Sequence, residues 1–123
     1  MFKNFTDMPV WQKTMVLSVE VFKLTTDLPK SEDYGLTSQI RRSANSVSAN
    51  IAEGFGRKHT KEKIPFYYIS IGSITETQSH LIYGNKVGYF DREKVNILIE
   101  EYGQLRHDIN KIIKTLRNSQ TQP

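Results

Sequence analysis

"LTSQIRRSANSVSANIAEGFGRKHTKEK", Leu36 to Lys63, is the stretch on which the fold turns. Leu36, Ile40, Ala44, Val47 and Ile51 recur at three- and four-residue steps, which predicts a helix over about 36–53 with one apolar face. Ala44, Ser48 and Ala52 form a row of small residues that lets a neighbouring helix approach closely. Gly54 or Gly56 can take the left-handed conformation that closes a helix C-terminus, with Phe55 folding back onto the last turn. Beyond the glycines the chain turns basic.

The flanking segments carry the same helical period. A first helix is predicted over about 8–28, with Asp7 as N-cap, Pro9 where a missing N–H costs nothing, and Pro29 as the stop. It shows two apolar rows: Val10, Leu17, Val21, Leu24 and Leu28, and then Trp11, Met15, Val19 and Phe22. Together they are wider than one buried seam requires. A third helix is expected over about 61–87, starting near Thr60, with Ile64, Tyr67, Tyr68, Ile71, Ile74, Leu81 and Ile82 inward. Pro65 predicts a later start or a kink, because it removes a hydrogen bond and crowds the carbonyl four residues back. Gly88 should end this helix and Asp91 cap a fourth, over about 92–118. There Val95, Leu98, Tyr102, Leu105, Ile109, Ile112 and Leu116 alternate like a coiled-coil seam, before a frayed "SQTQP".

No strand-period segment competes, and the connections are short. The fold class expected is all-α: one domain, 1–123, an antiparallel up-down-up-down four-helix bundle. The chain has 123 residues and no cysteine, which excludes disulfides, thiolate zinc sites and cysteine nucleophiles. No segment reaches the ~20 apolar residues of a membrane span, nor does the start resemble a signal peptide, so a soluble, cytoplasmic protein is expected. A net charge of +4 permits an anionic partner, and the distribution of the charges matters more than their sum.

"VWQK" (Val10–Lys13), "YGLTSQIRRSANSVSANIAEGFGR" (Tyr34–Arg57) and "YISIGSITETQSHLI" (Tyr68–Ile82) closely resemble a bacterial four-helix-bundle family. It is named for proteins encoded in intervening sequences of 23S ribosomal RNA genes. "GLTSQIRR" followed by "NIAEGFGR" is the specific double motif, and the resemblance runs from about Trp11 to Leu116. It implies an antiparallel four-helix bundle assembled into a ring-like homopentamer, and no known enzymatic activity. A ring would account for the two apolar sides of the first helix. The family often has Pro where this chain has Ser48, and a basic residue where it has Pro65. A related bundle that accompanies retroelement reverse transcriptases forms a pentamer and binds nucleic acid, which enters only as an analogy.

Enzyme chemistry finds little purchase in the residues. Di-iron bundles need a Glu-x-x-His motif on each of two helices, whereas Glu76 and His80 stand four apart and are not repeated. No Gly-x-Ser-x-Gly elbow accompanies the serines, and Gly54-Phe55-Gly56 lacks the spacing and the strand of a phosphate loop. The expectation is no enzyme, no cofactor, no metal site and no small-molecule substrate.

The basic residues are the functional candidates. Arg57, Lys58, Lys61 and Lys63 put four positive charges into seven positions around the start of the third helix, whose amides and dipole also favour an anion. Arg41 and Arg42 add two more on the second helix, but adjacent residues point ~100° apart and cannot share a face. One could contact a ligand while the other pairs with Glu53 or a neighbouring subunit. Arg106, Lys111, Lys114 and Arg117 form another basic run, diluted by Glu100, Glu101 and Asp108. The tyrosines 67, 68, 83, 89 and 102 read as core or interface residues before base-stacking platforms. Two functions follow: an oligomeric bundle binding RNA or another nucleic acid through phosphate contacts, or an oligomeric scaffold for a protein partner. They differ in whether these cations converge on an exposed face or are consumed by Glu53, Glu76 and their neighbours.

Overall fold

Four α-helices make up the described residues: α1 (Pro9–Thr25), α2 (Leu36–Gly56), α3 (Thr60–Lys86) and α4 (Arg92–Thr121). This computed structural model describes residues 1–121, and no strand occurs among them. Short 3-10 turns, Phe5–Asp7 and Lys30–Glu32, precede α1 and α2. Packing runs around a closed circuit, α1 on α2, α2 on α3, α3 on α4 and α4 on α1, while among the described residues neither diagonal pair brings Cα atoms within 8 Å. The core lies along the central axis, filled by Leu17, Val21, Ile40, Val47, Ile51, Ile74, Leu81, Leu105 and Ile109.

The apolar face read from Leu36 to Ile51 is wholly buried. Its small residues have the expected consequence, because α3 lies close enough for hydroxyls to bridge the two helices. Ser43 and Thr77 share a hydrogen bond at 2.8 Å, Ser73 donates to Ser46 at 3.0 Å, and Ser70 donates to the Val47 carbonyl at 2.9 Å. These pairs rise along α2 as they fall along α3. Ser18 donates to the Ala44 carbonyl in the same manner between α1 and α2.

Several boundaries differ from expectation. Asp7 does not cap α1; its carboxylate accepts the Asn4 N–H within the preceding turn, and Met8 occupies the cap position ahead of Pro9. Helix α1 stops at Thr25 rather than running to Leu28: the Thr26 and Leu28 N–H groups donate three residues back, to Lys23 and Thr25, and the Thr26 hydroxyl and the Arg41 guanidinium donate to the Phe22 carbonyl. Neither Gly54 nor Gly56 is left-handed: α2 runs through both to Gly56, and Gly88 alone has positive φ among the described residues. Gly54 instead serves close approach, since a Cβ there would lie 3.2 Å from Phe66 Cβ and 3.3 Å from the Lys63 carbonyl oxygen. Pro65 sits inside a helix that begins at Thr60 and continues past it. Being in the second turn, it forfeits one hydrogen bond and leaves the helix otherwise intact.

Gly88 and Asp91 behave as read. Gly88 has φ +86°, and Asp91 Oδ2 accepts the Lys94 N–H at 3.1 Å to cap α4. The α4 seam is buried from Val95 to Ile109, after which Ile113 is buried as well and Ile112 and Leu116 pack against the core half-buried. Helix α4 continues to Thr121, so Ser119 and Gln120 are helical rather than frayed; the rest of the expected tail, residues 122–123, lies outside the described residues.

The largest departure concerns α3. Tyr68 and Ile82, expected inside, are exposed, whereas Ser70, Ser73, Thr77 and Gly84 are buried. Between Ile64 and Asn85 the one Asp, Glu, Lys or Arg is Glu76, so this helix has no polar side to mark its orientation. The second apolar row of α1 is covered only in part: Trp11 and Met15 are half-buried, while Val19 and Phe22, with neighbouring Val16, are 46%, 56% and 55% exposed.

Candidate nucleic-acid interface

Only Arg57, Lys58 and His59 separate α2 from α3. Arg57 leaves the helix in an extended conformation and His59 enters the next one extended. So tight a reversal has no room to fold these side chains inward, and it presents them at one end of the molecule. The Arg57 guanidinium lies over the Phe66 ring, 4.6 Å from its centroid, with a nitrogen 3.7 Å from Glu53. Lys58 and Lys61 are exposed and form no hydrogen bond or ion pair. His59 stands 4.0 Å from Glu62.

Lys63 has a different occupation. Its ammonium donates to the carbonyls of Phe55 at 2.7 Å and Gly54 at 3.3 Å. The Gly54 carbonyl also accepts the Arg57 N–H at 3.3 Å, and Lys63 adds its donor to these last-turn acceptors of α2, contributing to the closure expected of a left-handed glycine.

Arg41 and Arg42 stand about 15 residues up α2 from Arg57, roughly 22 Å along the helix axis. Arg41 turns to α1, where its Nε donates to Thr25 Oγ1 at 2.8 Å and its guanidinium covers the Phe22 ring at 4.2 Å. Arg42 turns to α3, donating to Glu76 and, at 3.2 Å, to Gln39. Glu76, not Glu53, is therefore its partner. His80 also lies 3.1 Å from that Glu76 oxygen, so the Glu76–His80 pair belongs to an Arg42-centred network. Among the described residues no group of three or more His, Cys, Asp or Glu side chains could hold a metal ion. The six candidates thus fall into two places, four at the α2–α3 turn and two in the second turn of α2.

The packing brings one cation to the turn that the linear reading set apart. The Arg117 guanidinium of α4 lies 5.3 Å from the centroid of the Tyr68 ring, one turn beyond the basic start of α3. The available signal was the absence of any acidic residue after Asp108. At the opposite end, Glu32 accepts the Leu36 N–H at 3.1 Å and the Tyr89 hydroxyl at 2.8 Å, so the loop before α2 meets the turn between α3 and α4. The hydrogen bond to Glu32 raises the Tyr89 pKa, since ionisation would set an anion against an anion.

No helix among the described residues is long and apolar enough to cross a membrane. No curated protein matches the chain. Among solved structures, a protein of unknown function from the S23 ribosomal protein family of Bacteroides thetaiotaomicron VPI-5482 has the same fold. The TM-score is 0.76 at 22% identity, over 85% of this chain and 98% of that one. The family profile of the 23S rRNA-intervening sequence protein matches residues 6–111, and the chain, whose "GLTSQIRR" and "NIAEGFGR" lie within that span, belongs to this family.

Proposed function

We propose that the protein is a non-enzymatic, cytoplasmic subunit of a homo-oligomeric ring of antiparallel bundles that binds RNA through phosphate contacts. The observation that carries the RNA reading is the pair Lys58 and Lys61, exposed and unpartnered on the tight α2–α3 turn. Cations with no intrachain partner are free to replace the counterions of a phosphate backbone. Bridging pairs that rise along one helix and fall along the next support the antiparallel order. Self-association is supported by uncovered apolar stripes on α1 and α3, diagonal helices of one bundle. Two different sticky faces on opposite sides favour head-to-tail contact, which gives a ring where the rotation between subunits closes; a ring of five subunits is what the family resemblance implies.

Fluorescence anisotropy of a labelled RNA hairpin from about 50 to 300 mM salt tests the reading. Log affinity should fall linearly with log salt, and Lys58→Ala with Lys61→Ala should make the slope shallower. No binding at the lowest salt would leave the second reading, a scaffold for a protein partner. That alternative is favoured by the engagement of Arg41, Arg42, Arg57 and Lys63 within the chain.

A further inference from the structure

The excess of positive over negative charge in this protein is concentrated at one end. Where α2 gives way to α3, residues 53–63 hold Arg57, Lys58, Lys61 and Lys63 against two acidic residues, Glu53 and Glu62. The Arg117–Tyr68 contact brings the last third of α4 alongside, and that segment adds Lys111 and Lys114 with no acid beyond Asp108. The opposite end is built from residues 27–33 and 86–94, joined by the Tyr89–Glu32 hydrogen bond. It holds four basic residues (Lys30, Lys86, Arg92 and Lys94) against five acidic ones. Between the two ends, Lys13 is paired with Glu101 and Arg42 with Glu76.

We infer that the RNA-binding surface is the whole α2–α3-turn end of the bundle, in which Lys111, Lys114 and Arg117 of α4 share one phosphate track with Lys58 and Lys61. This rests on the RNA reading proposed above and names its surface. Neighbouring helix axes lie ~8–10 Å apart, so long cationic side chains on α3 and α4 can reach the same strand. Lys58, Lys61, Lys111 and Lys114 are exposed and make no hydrogen bond or ion pair, leaving their charges available. Arg117 is exposed and held by its ring contact alone. Cyclic assembly places equivalent ends of all subunits on the same side. A ring would then carry one basic rim and one near-neutral rim, and RNA would bind on one side.

The test compares two triple variants of the full chain in the RNA-hairpin titration. One is Lys111→Ala/Lys114→Ala/Arg117→Ala; the other, at the opposite end, is Lys30→Ala/Lys86→Ala/Lys94→Ala. Both remove three charges, so a non-specific charge effect would move them equally. The expected result is a salt slope shallower by about 2 for the α4 variant, at ~0.7–0.9 per released phosphate contact, with the opposite-end variant unchanged. Equal effects, or an α4 variant with the wild-type slope, would overturn the inference while the RNA reading stood. Absence of wild-type binding at 50 mM salt would overturn both. Should the α4 triple variant lose its helical circular dichroism, Lys111→Gln/Lys114→Gln provides the same comparison, with an expected slope change of about 1.5.

Discussion

The Lys63 ammonium lies 2.7 Å from the Phe55 carbonyl oxygen, so a cation from a run that reads as an anion site closes the end of α2. It also lies 5.6 Å from the centroid of the Phe55 ring. Lys63→Met keeps the aliphatic stem and removes the donor. We expect a loss of about 1 kcal/mol in thermal or urea unfolding, the scale of a charged group at a helix C-terminus. The salt slope of RNA binding should stay at the wild-type value. A shallower slope with unchanged stability would return Lys63 to the ligand surface.

Gly84 and Phe90 make an opposite pair of predictions with Gly103. A Cβ on Gly84 would lie 2.2 Å from two Phe90 ring carbons, in a segment where Tyr89 and Phe90 both donate their N–H groups to the Gly84 carbonyl. The ring is buried and has no room to withdraw. Gly84→Ala should cost about 1–3 kcal/mol as an overpacking change. Gly103, inside α4, has nothing within 4 Å of its added Cβ, so Gly103→Ala should gain up to about 1 kcal/mol from helix propensity. Midpoints of urea denaturation check both signs.

Tyr102 is fully buried on α4 and its hydroxyl makes no hydrogen bond. Burial raises its pKa strongly, and that of Tyr67 in the same direction. The folded chain therefore holds protons that the unfolded chain releases near pH 10. Stability from these groups is complete below that pH and falls as pH rises from each group's unfolded pKa toward its raised folded one, by at most about 1.4 kcal/mol per pH unit for each group. Tyr102→Phe removes the orphan hydroxyl, and should raise stability at neutral pH by about 1 kcal/mol while flattening the alkaline decline. A decline of unchanged steepness in Tyr102→Phe would assign the effect elsewhere.

Val16 and Val19 lie on the uncovered face of α1, so charges there should leave the single bundle intact and break contacts between copies. Val16→Glu/Val19→Glu should retain the wild-type helical dichroism while sedimenting as a smaller species. Wild-type mass in the double variant would remove α1 from the self-association surface. A monomeric wild type would remove the ring itself.

The sequence by itself determined four helices and the inward faces of α2 and α4. In α2 a polar side opposes Leu36, Ile40, Ala44, Val47 and Ile51, and a helix with two unlike sides has one favourable orientation. The turn at Gly88 and the cap at Asp91 were legible for local reasons, a positive φ and a side-chain hydrogen bond. In α3 both sides are apolar or small, so periodicity carried no orientation. Close approach to α2 decided it, burying Ser70, Ser73 and Thr77 where hydroxyls could bond across and leaving Tyr68 and Ile82 outside.

The candidate site divides in the same way. Clustering of Arg57, Lys58, Lys61 and Lys63 was visible as composition, since neighbours in sequence remain neighbours at a tight turn. Which of them stay free was decided by the tertiary structure: Phe66 and Glu53 engage Arg57, the end of α2 engages Lys63, and Lys58 and Lys61 find no partner. The same holds for Arg117, brought to Tyr68 from 49 positions away. Charge is written residue by residue, but its concentration at one end depends on where each helix begins and ends against its neighbours.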